Sequence, residues 1–312
     1  MGRAWKIRFC LPLTMVPTTS LARWKRINQT TQYKVLTMHY CTQRPLVTLT
    51  KIFTLLCIFH LGASLAEEQM SGLDIMDESS RRHESQVEME SLSMTLTDRK
   101  GNATERVLRR YSRMGDAGFY KYLLVFDDPK GIKGVALLTW EKEGGDDDQW
   151  IYLPAMGNRL KRIASGGRMN YFMGTDFAFE DLVAEQHDNY SYERQPDELL
   201  EDQEVFVIDA QPSNPDLVTG YERRRLFIRK DNYILARVDF YQRRTGKLLK
   251  RLTVGKFVQI EGEQWRATEQ LMDNFGKKHK TQITTLDRSF DDADVPNTVF
   301  AHRFITSKRH MR

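Results

Sequence analysis

Five histidines lie beyond residue 66: His83, His187, His279, His302 and His310. Imidazoles are the usual metal ligands and proton carriers near neutral pH, but no two of these stand at the H-x-x-x-H spacing that puts a pair on one helix face. His187-Asp188 is an isolated pair ahead of a strand and reads as a surface feature. No G-x-S-x-G run supplies a nucleophile on a strand-to-helix turn. Ser165-Gly166-Gly167-Arg168 would bind an anion through backbone N–H groups if it formed a nest; a plain turn is the simpler reading. Asp176, Glu180 and Asp181 are close enough for paired-carboxylate chemistry. The simpler reading is that Asp176 caps a short helix over Phe177–Ala184 and the other acids favour its N-terminus. Gly144-Gly145-Asp146-Asp147-Asp148 lacks the spaced oxygen ligands and terminal Glu of a calcium loop, and reads as a solvated turn. All three cysteines, Cys10, Cys41 and Cys57, precede residue 67, so the rest of the chain has no thiol. These residues assign no catalytic group, no metal and no cofactor.

The basic runs carry no chemistry of their own either. Arg223-Arg224-Arg225 opens a strand and Arg243-Arg244 sits at a turn; alternation sends Arg223 and Arg225 to one face with Phe227. Charges so placed resist edge-to-edge pairing. The formal charge of +5 comes from one end of the chain. Residues 1–66 hold nine Lys or Arg and no acid; taking nine from the 47 bases leaves 38 against 42 Asp and Glu. The remainder is mildly acidic, which argues against nucleic acid as a partner.

The elements that must position these groups follow from hydrophobic periodicity. Glu67–Glu90 reads as a polar helix with Ser71 as N-cap and Leu73, Met76 and Val87 on one face. Strict alternation then begins at Leu92, Met94 and Leu96. Strands follow over Thr104–Arg113, Phe119–Phe126, Val135–Glu141, Trp150–Leu153, Leu160–Ile163, Asn189–Gln195 and Gln203–Ala210. A meander of Tyr221–Arg229, Tyr233–Tyr241, Leu248–Phe257, Trp265–Asn274 and Lys280–Phe290 completes the chain. The turns between them are rich in Gly, Asp and Asn, and no crossover is long enough for a parallel sheet. The fold class is mainly β: a single antiparallel sheet curled into an unclosed half-barrel with a short helical lid.

Within that scheme the stretch Trp150–Asp181 is a hairpin and its cover. Pro154 ends the first strand because it has no N–H to donate, and the cover carries Phe172, Gly174, Asp176, Phe177 and Asp181. Trp150, Tyr152, Phe172 and Phe177 are expected to be buried where hairpin meets cover. Period-2 alternation in the meander places Leu226, Ile228, Val238, Phe240, Leu252 and Val254 on one side of the sheet. On residue types alone these would simply be core, but a sheet covered by few helices leaves part of that apolar face without protein partners, the form of a site for an acyl chain.

The segments W-I-Y-L-P-A-M, R-L-K-R-I and F-M-G-T-D-F-A-F-E-D-L, with FDDPKGIKGVALLTW at Phe126–Trp140 and the closing Phe304-Ile305-Thr306, resemble the LolA-like outer membrane lipoprotein-sorting protein family. The likeness runs from Leu73 to Ile305. It implies the same half-barrel, and a periplasmic carrier or chaperone that shelters lipoprotein acyl chains or another lipid, with no catalytic step. It further implies an inner-membrane partner, a resistance-nodulation-division (RND) type exporter. The other classes left open are a non-catalytic adaptor subunit of such an exporter and an envelope lipid-modifying enzyme, for which no nucleophile and base assemble.

Residues 1–66 read as an N-terminal extension and secretory signal, the signal proper spanning about 38–66 with Met38 as its start. Lys51 precedes the apolar run Ile52–Leu61, and Ser64-Leu65-Ala66 closes it, so cleavage is expected after Ala66. The run is shorter than the roughly 20 apolar residues of a membrane span. Residues 67–312 are then one ligand-binding domain, long enough for a single large core.

Overall fold

The computed structural model describes residues 69–143 and 147–312. The export signal with its cleavage point after Ala66, Met38 and the three cysteines lie outside the described residues.

The first element is the helix α1 (Gly72–His83). Ser71 caps it: the Ser71 hydroxyl accepts from the Asp74 N–H at 3.2 Å and the Asp74 carboxylate accepts from the Ser71 N–H at 3.1 Å. This reciprocal capping satisfies two of the N–H groups a helix start leaves open. Ile75 and Met76 are its buried side chains, whereas Leu73 is 43 % exposed. The helix is shorter than the sequence led us to expect. From Val87 the backbone is captured by strands on both sides, so Val87–Glu90 belongs to a strand and Val87 leaves the helical face.

Thirteen strands follow: β1 (Val87–Thr97), β2 (Ala103–Met114), β3 (Tyr120–Asp128), β4 (Ala136–Trp140), β5 (Asp148–Tyr152), β6 (Leu160–Arg162), β7 (Tyr190–Leu200), β8 (Gln203–Pro212), β9 (Tyr221–Arg229), β10 (Leu235–Gln242), β11 (Leu248–Glu261), β12 (Gln264–Asn274) and β13 (His279–Ser289). They form one antiparallel sheet in the order β6-β5-β4-β3-β2-β1-β13-β12-β11-β10-β9-β8-β7. The first and last strands pair in the middle. Two meanders run outward from that seam, so β6 and β7, consecutive in sequence, are the opposite free edges of the sheet. The chain between them must cross a face of the sheet, and it is this crossing, a series of short 3-10 turns from Ser165 to Asn189, that forms the cover.

Each face of the sheet has its own core. On the inner face, toward α1 and the cover, Leu92, Met94, Leu108, Phe126 and Ile151 pack with Phe172 and Phe179, while Phe206, Ile208, Leu226, Ile228, Val238 and Phe240 pack with Ile75, Met76 and Phe177. On the outer face Leu123, Val125, Leu138 and Tyr152 pack under the C-terminal segment through Val295, Val299, Phe300 and Ile305, the last in the short helix α2 (His302–Thr306).

This two-sided arrangement corrects the expectation for the central hairpin. Ile151 faces inward; Trp150 and Tyr152, one residue to either side, therefore face outward. Trp150 and Trp140 both meet the His302 ring, and Tyr152 meets His310 edge-on at 5.1 Å. Of the four aromatic residues expected there, only Phe172 and Phe177 lie between sheet and cover. Pro154 opens a 3-10 turn directly after β5.

Candidate functional site

The expected helix over Phe177–Ala184 reduces to one 3-10 turn, Phe179–Leu182. Its first turn is braced by Asp181, which accepts from the Ala178 N–H at 2.6 Å. Asp176 is not the cap. It is fully buried and bonds instead to the sheet, accepting from Thr281 Oγ1 at 2.8 Å and sitting 2.6 Å from His279 Nδ1. The chain reaches this position through a tight reversal at Met173 (φ 46°) and Gly174 (φ 77°). The Phe172 N–H then donates to the Phe177 carbonyl at 2.8 Å. Gly174 is the residue type that adopts such a φ without strain.

Asp176 and Asp181 turn out to be two anchors of a polar seam that fastens the cover to the inner face. Lys250 of β11, with 0 % of its surface exposed, donates to the Asp181 carboxylate at 2.5 Å and to the Asp176 carbonyl at 3.0 Å. Tyr221 donates to the other Asp181 oxygen at 2.8 Å. Glu180 accepts from Thr219 Oγ1 at 2.6 Å and the Gly220 N–H at 3.1 Å; burial pushes its carboxyl above the usual range. Burial, aided by Asp181 and Glu180, holds the Tyr221 hydroxyl well above its ordinary value. Arg224 pairs with Glu185. The middle arginine of the basic run thus lies inside, while Arg223 and Arg225 share Asp209 on the outer face. β9 is flanked by β8 and β10, so none of the three is an edge charge.

The other sequence candidates have definite places as well. His187 meets Asp77 of α1 at 2.6 Å rather than its neighbour Asp188, and so ties the cover to the helix. Asp147 is buried and accepts from Gln186 Nε2 at 2.6 Å, and Asp148 pairs with Lys142 at 3.2 Å; the rest of that loop, 144–146, lies outside the described residues. Ser165–Gly167 is a 3-10 turn. Among the described residues no three His, Asp or Glu side chains gather as metal ligands.

Between the cover and the inner face lies a cavity of about 920 Å³. Its apolar wall is Leu92, Met94, Leu108, Leu124, Leu137, Leu252, Val254 and Ile283 from the sheet, with Phe172, Phe177 and Leu182 from the cover. The six residues singled out from the meander divide here. Leu226, Val238 and Leu252 are register partners in one rung that continues to Met272. Leu252 and Val254 border the cavity, but Leu226, Ile228, Val238 and Phe240 do not. α1 and Phe177 cover those four and close them into core. The open part of the face lies instead toward β1–β4, which is why the sequence candidates sit beside the cavity rather than around it.

One end of the cavity is charged. Glu90 of β1 stands opposite Arg110 of β2 and Arg288 of β13, and contacts each at 2.5 Å. Glu88 takes Arg288 at 2.8 Å and Arg266 of β12 at 3.0 Å. Burial alone would raise the Glu90 carboxyl, but Arg110 and Arg288 outweigh it and hold it below the usual range. Beyond the row, Glu141 accepts from the Tyr122 hydroxyl at 3.0 Å and the Tyr120 N–H at 2.7 Å. At the mouth, His83 accepts from the Trp265 N–H through Nδ1 at 3.2 Å and donates through Nε2 to the Asn232 carbonyl at 3.1 Å. Acceptance at Nδ1 needs the neutral ring, and burial together with Arg266 lowers its pKa.

A family model described only as an uncharacterized protein, "-like", matches residues 118–307. No curated protein matches the chain. Among solved structures, a domain from Vibrio parahaemolyticus named as an outer membrane lipoprotein-sorting protein is 31% identical, with a TM-score of 0.70 over 75% of this chain and 98% of that one. A DUF1329 family protein from Desulfovibrio piger is 26% identical, with a TM-score of 0.70 over 75% of this chain and 97% of that one. A LolA superfamily protein from Nitrosomonas europaea shares the fold at 16% identity, with a TM-score of 0.59 over 75% and 98% of the two chains.

Proposed function

The chain belongs to the family of outer membrane lipoprotein-sorting proteins and shares the LolA fold, and on that premise we propose that it is a periplasmic carrier that shelters the acyl chain of a lipoprotein or another lipid. The observation that carries this reading is the cavity of about 920 Å³ between cover and sheet. That volume is in the range of sites that enclose most of a small ligand. Burying a methylene there contributes about 0.8 kcal/mol, so a long chain is held without any covalent step. Delivery then requires a partner that loosens the cover, and the exporter implied by the family resemblance is the partner proposed.

The test is extraction of the protein purified from the periplasm, followed by mass spectrometry of the extract. A stoichiometric acyl lipid supports the carrier. An empty protein that also takes up no lipid offered to it supports the adaptor subunit instead.

A further inference from the structure

The charged end of the cavity has an open position. Arg110 meets Glu90 through Nη2, and no acceptor among the described residues takes the hydrogens on its Nε and Nη1. Its side chain is 41 % accessible although it points from the inner face, because it borders the cavity. Its parity on β2 is that of Leu108, one of the apolar wall residues, so charge and wall share one surface.

The row Arg110–Glu90–Arg288–Glu88–Arg266 crosses β2, β1, β13 and β12 with three guanidiniums against two carboxylates. The two inner carboxylates each bridge two arginines. Arg110 is an end member, with a carboxylate on one side only. Arg266, at the other end, is turned to the Trp265 carbonyl at 3.0 Å. Glu141 also borders the cavity, but it lies beyond β4, two strands from Arg110, and its oxygens are taken by Tyr120 and Tyr122.

We propose that Arg110 binds the anionic head, a carboxylate or phosphate, of an amphipathic ligand whose hydrocarbon chain lies along Leu108, Leu92, Met94 and Leu137. This rests on the carrier reading and narrows it, from any acyl chain to one joined to an acidic head. A guanidinium presents a planar fork of donors suited to either anion. It does so at the rim of an apolar space, where a charge-assisted bond is less weakened by water.

Binding of cis-parinaric acid and of its methyl ester, read by fluorescence at about pH 8 where the acid is ionised, tests the proposal. A second pair, a phosphatidate and the diacylglycerol of the same chains competing for the probe, separates phosphate from carboxylate as the preferred head. The wild type is expected to favour the anionic member of at least one pair by about tenfold or more, the range of a hydrogen bond to a charged group. Arg110→Gln should bring that ratio to within about twofold while ester or diacylglycerol affinity stays as it was. Arg110→Lys, which keeps the charge and the partner of Glu90, should retain most of the preference. Equal affinity for acid and neutral forms in the wild type overturns the proposal and leaves the carrier standing, as does an Arg110→Gln protein that loses all four ligands equally. If the wild type binds none of the four, the carrier reading falls with it.

Discussion

Removing the Lys250 ammonium leaves the Asp181 carboxylate, whose side chain is 4 % exposed, with only Tyr221 and a backbone N–H as partners. Breaking a buried pair from one side is far more costly than replacing both members by apolar groups. Lys250→Ala should therefore lower stability by about 3–5 kcal/mol in urea unfolding, and Lys250→Met with Asp181→Leu by clearly less; equal losses would show the pair contributes only volume. At the mouth, His83 and, on the outer face, His310 both have pKa values lowered by burial. The unfolded chain then takes up protons first as pH falls below about 6.5. Stability should be complete above that value and drop as pH falls toward the folded-state pKa values. His83→Gln should flatten the profile, as read by thermal unfolding across pH; an unchanged slope would remove His83 from the account. Lys250, Glu88 and Glu90 were not chosen from the sequence, and Arg224 was read only as one of a run of edge charges, yet a signal existed. Lys250 shares the parity of Leu252 and Val254, Arg224 that of Leu226 and Ile228, and Glu88 and Glu90 that of Leu92 and Met94. A charge at core parity within an apolar row needs a buried partner, and that partner came from a segment about 70 residues away in the Lys250 case.

The cover depends on its few large side chains, because its turns are too short to be stable alone. Phe172 stacks on Phe126 with centroids 5.6 Å apart and meets Phe179 edge-on at 5.5 Å. Phe172→Ala should cost about 3–5 kcal/mol, measured by denaturant unfolding, with the low end expected because the side chain also borders the cavity and the site can admit water. A loss below about 1 kcal/mol would mean that the cover is held by its polar seam alone. The strands themselves were readable from alternation and turn residues, since each needs only local pattern. The lid was not. A helix was expected over Phe177–Ala184 from its acids, but Asp176 and Asp181 are drawn to Thr281, His279 and Lys250 on the sheet, and tertiary bonds of this strength override a few residues of helical preference. Trp150 and Tyr152 illustrate the same limit. Alternation correctly separates them from Ile151, but nothing local says that the C-terminal segment covers the outer face.

Pairing of the first strand with the last makes the sheet a single surface whose two free edges are consecutive in sequence, and the chain joining them becomes the roof of a cavity. This topology accounts for the position of the site. α1 and Phe177 fill the side formed by β8–β10, leaving the side toward β1–β4 open, with Leu252 and Val254 of β11 at its border. Leu226, Ile228, Val238 and Phe240 are on the correct face of the sheet and under the wrong part of the cover, a distinction set by where a helix some 150 residues upstream comes to rest. Val238→Glu is thus expected to unfold the protein rather than report on binding. Val254 borders the cavity and is only half-buried, so Val254→Glu should keep the wild-type circular dichroism spectrum while placing a charge against the ligand. The decisive measurement is titration of both proteins with a fluorescent fatty-acyl probe. Saturable binding by the wild type, weakened at least about tenfold in a folded Val254→Glu protein, is what an acyl carrier requires. Equal binding by the two, or none by the wild type, would contradict it.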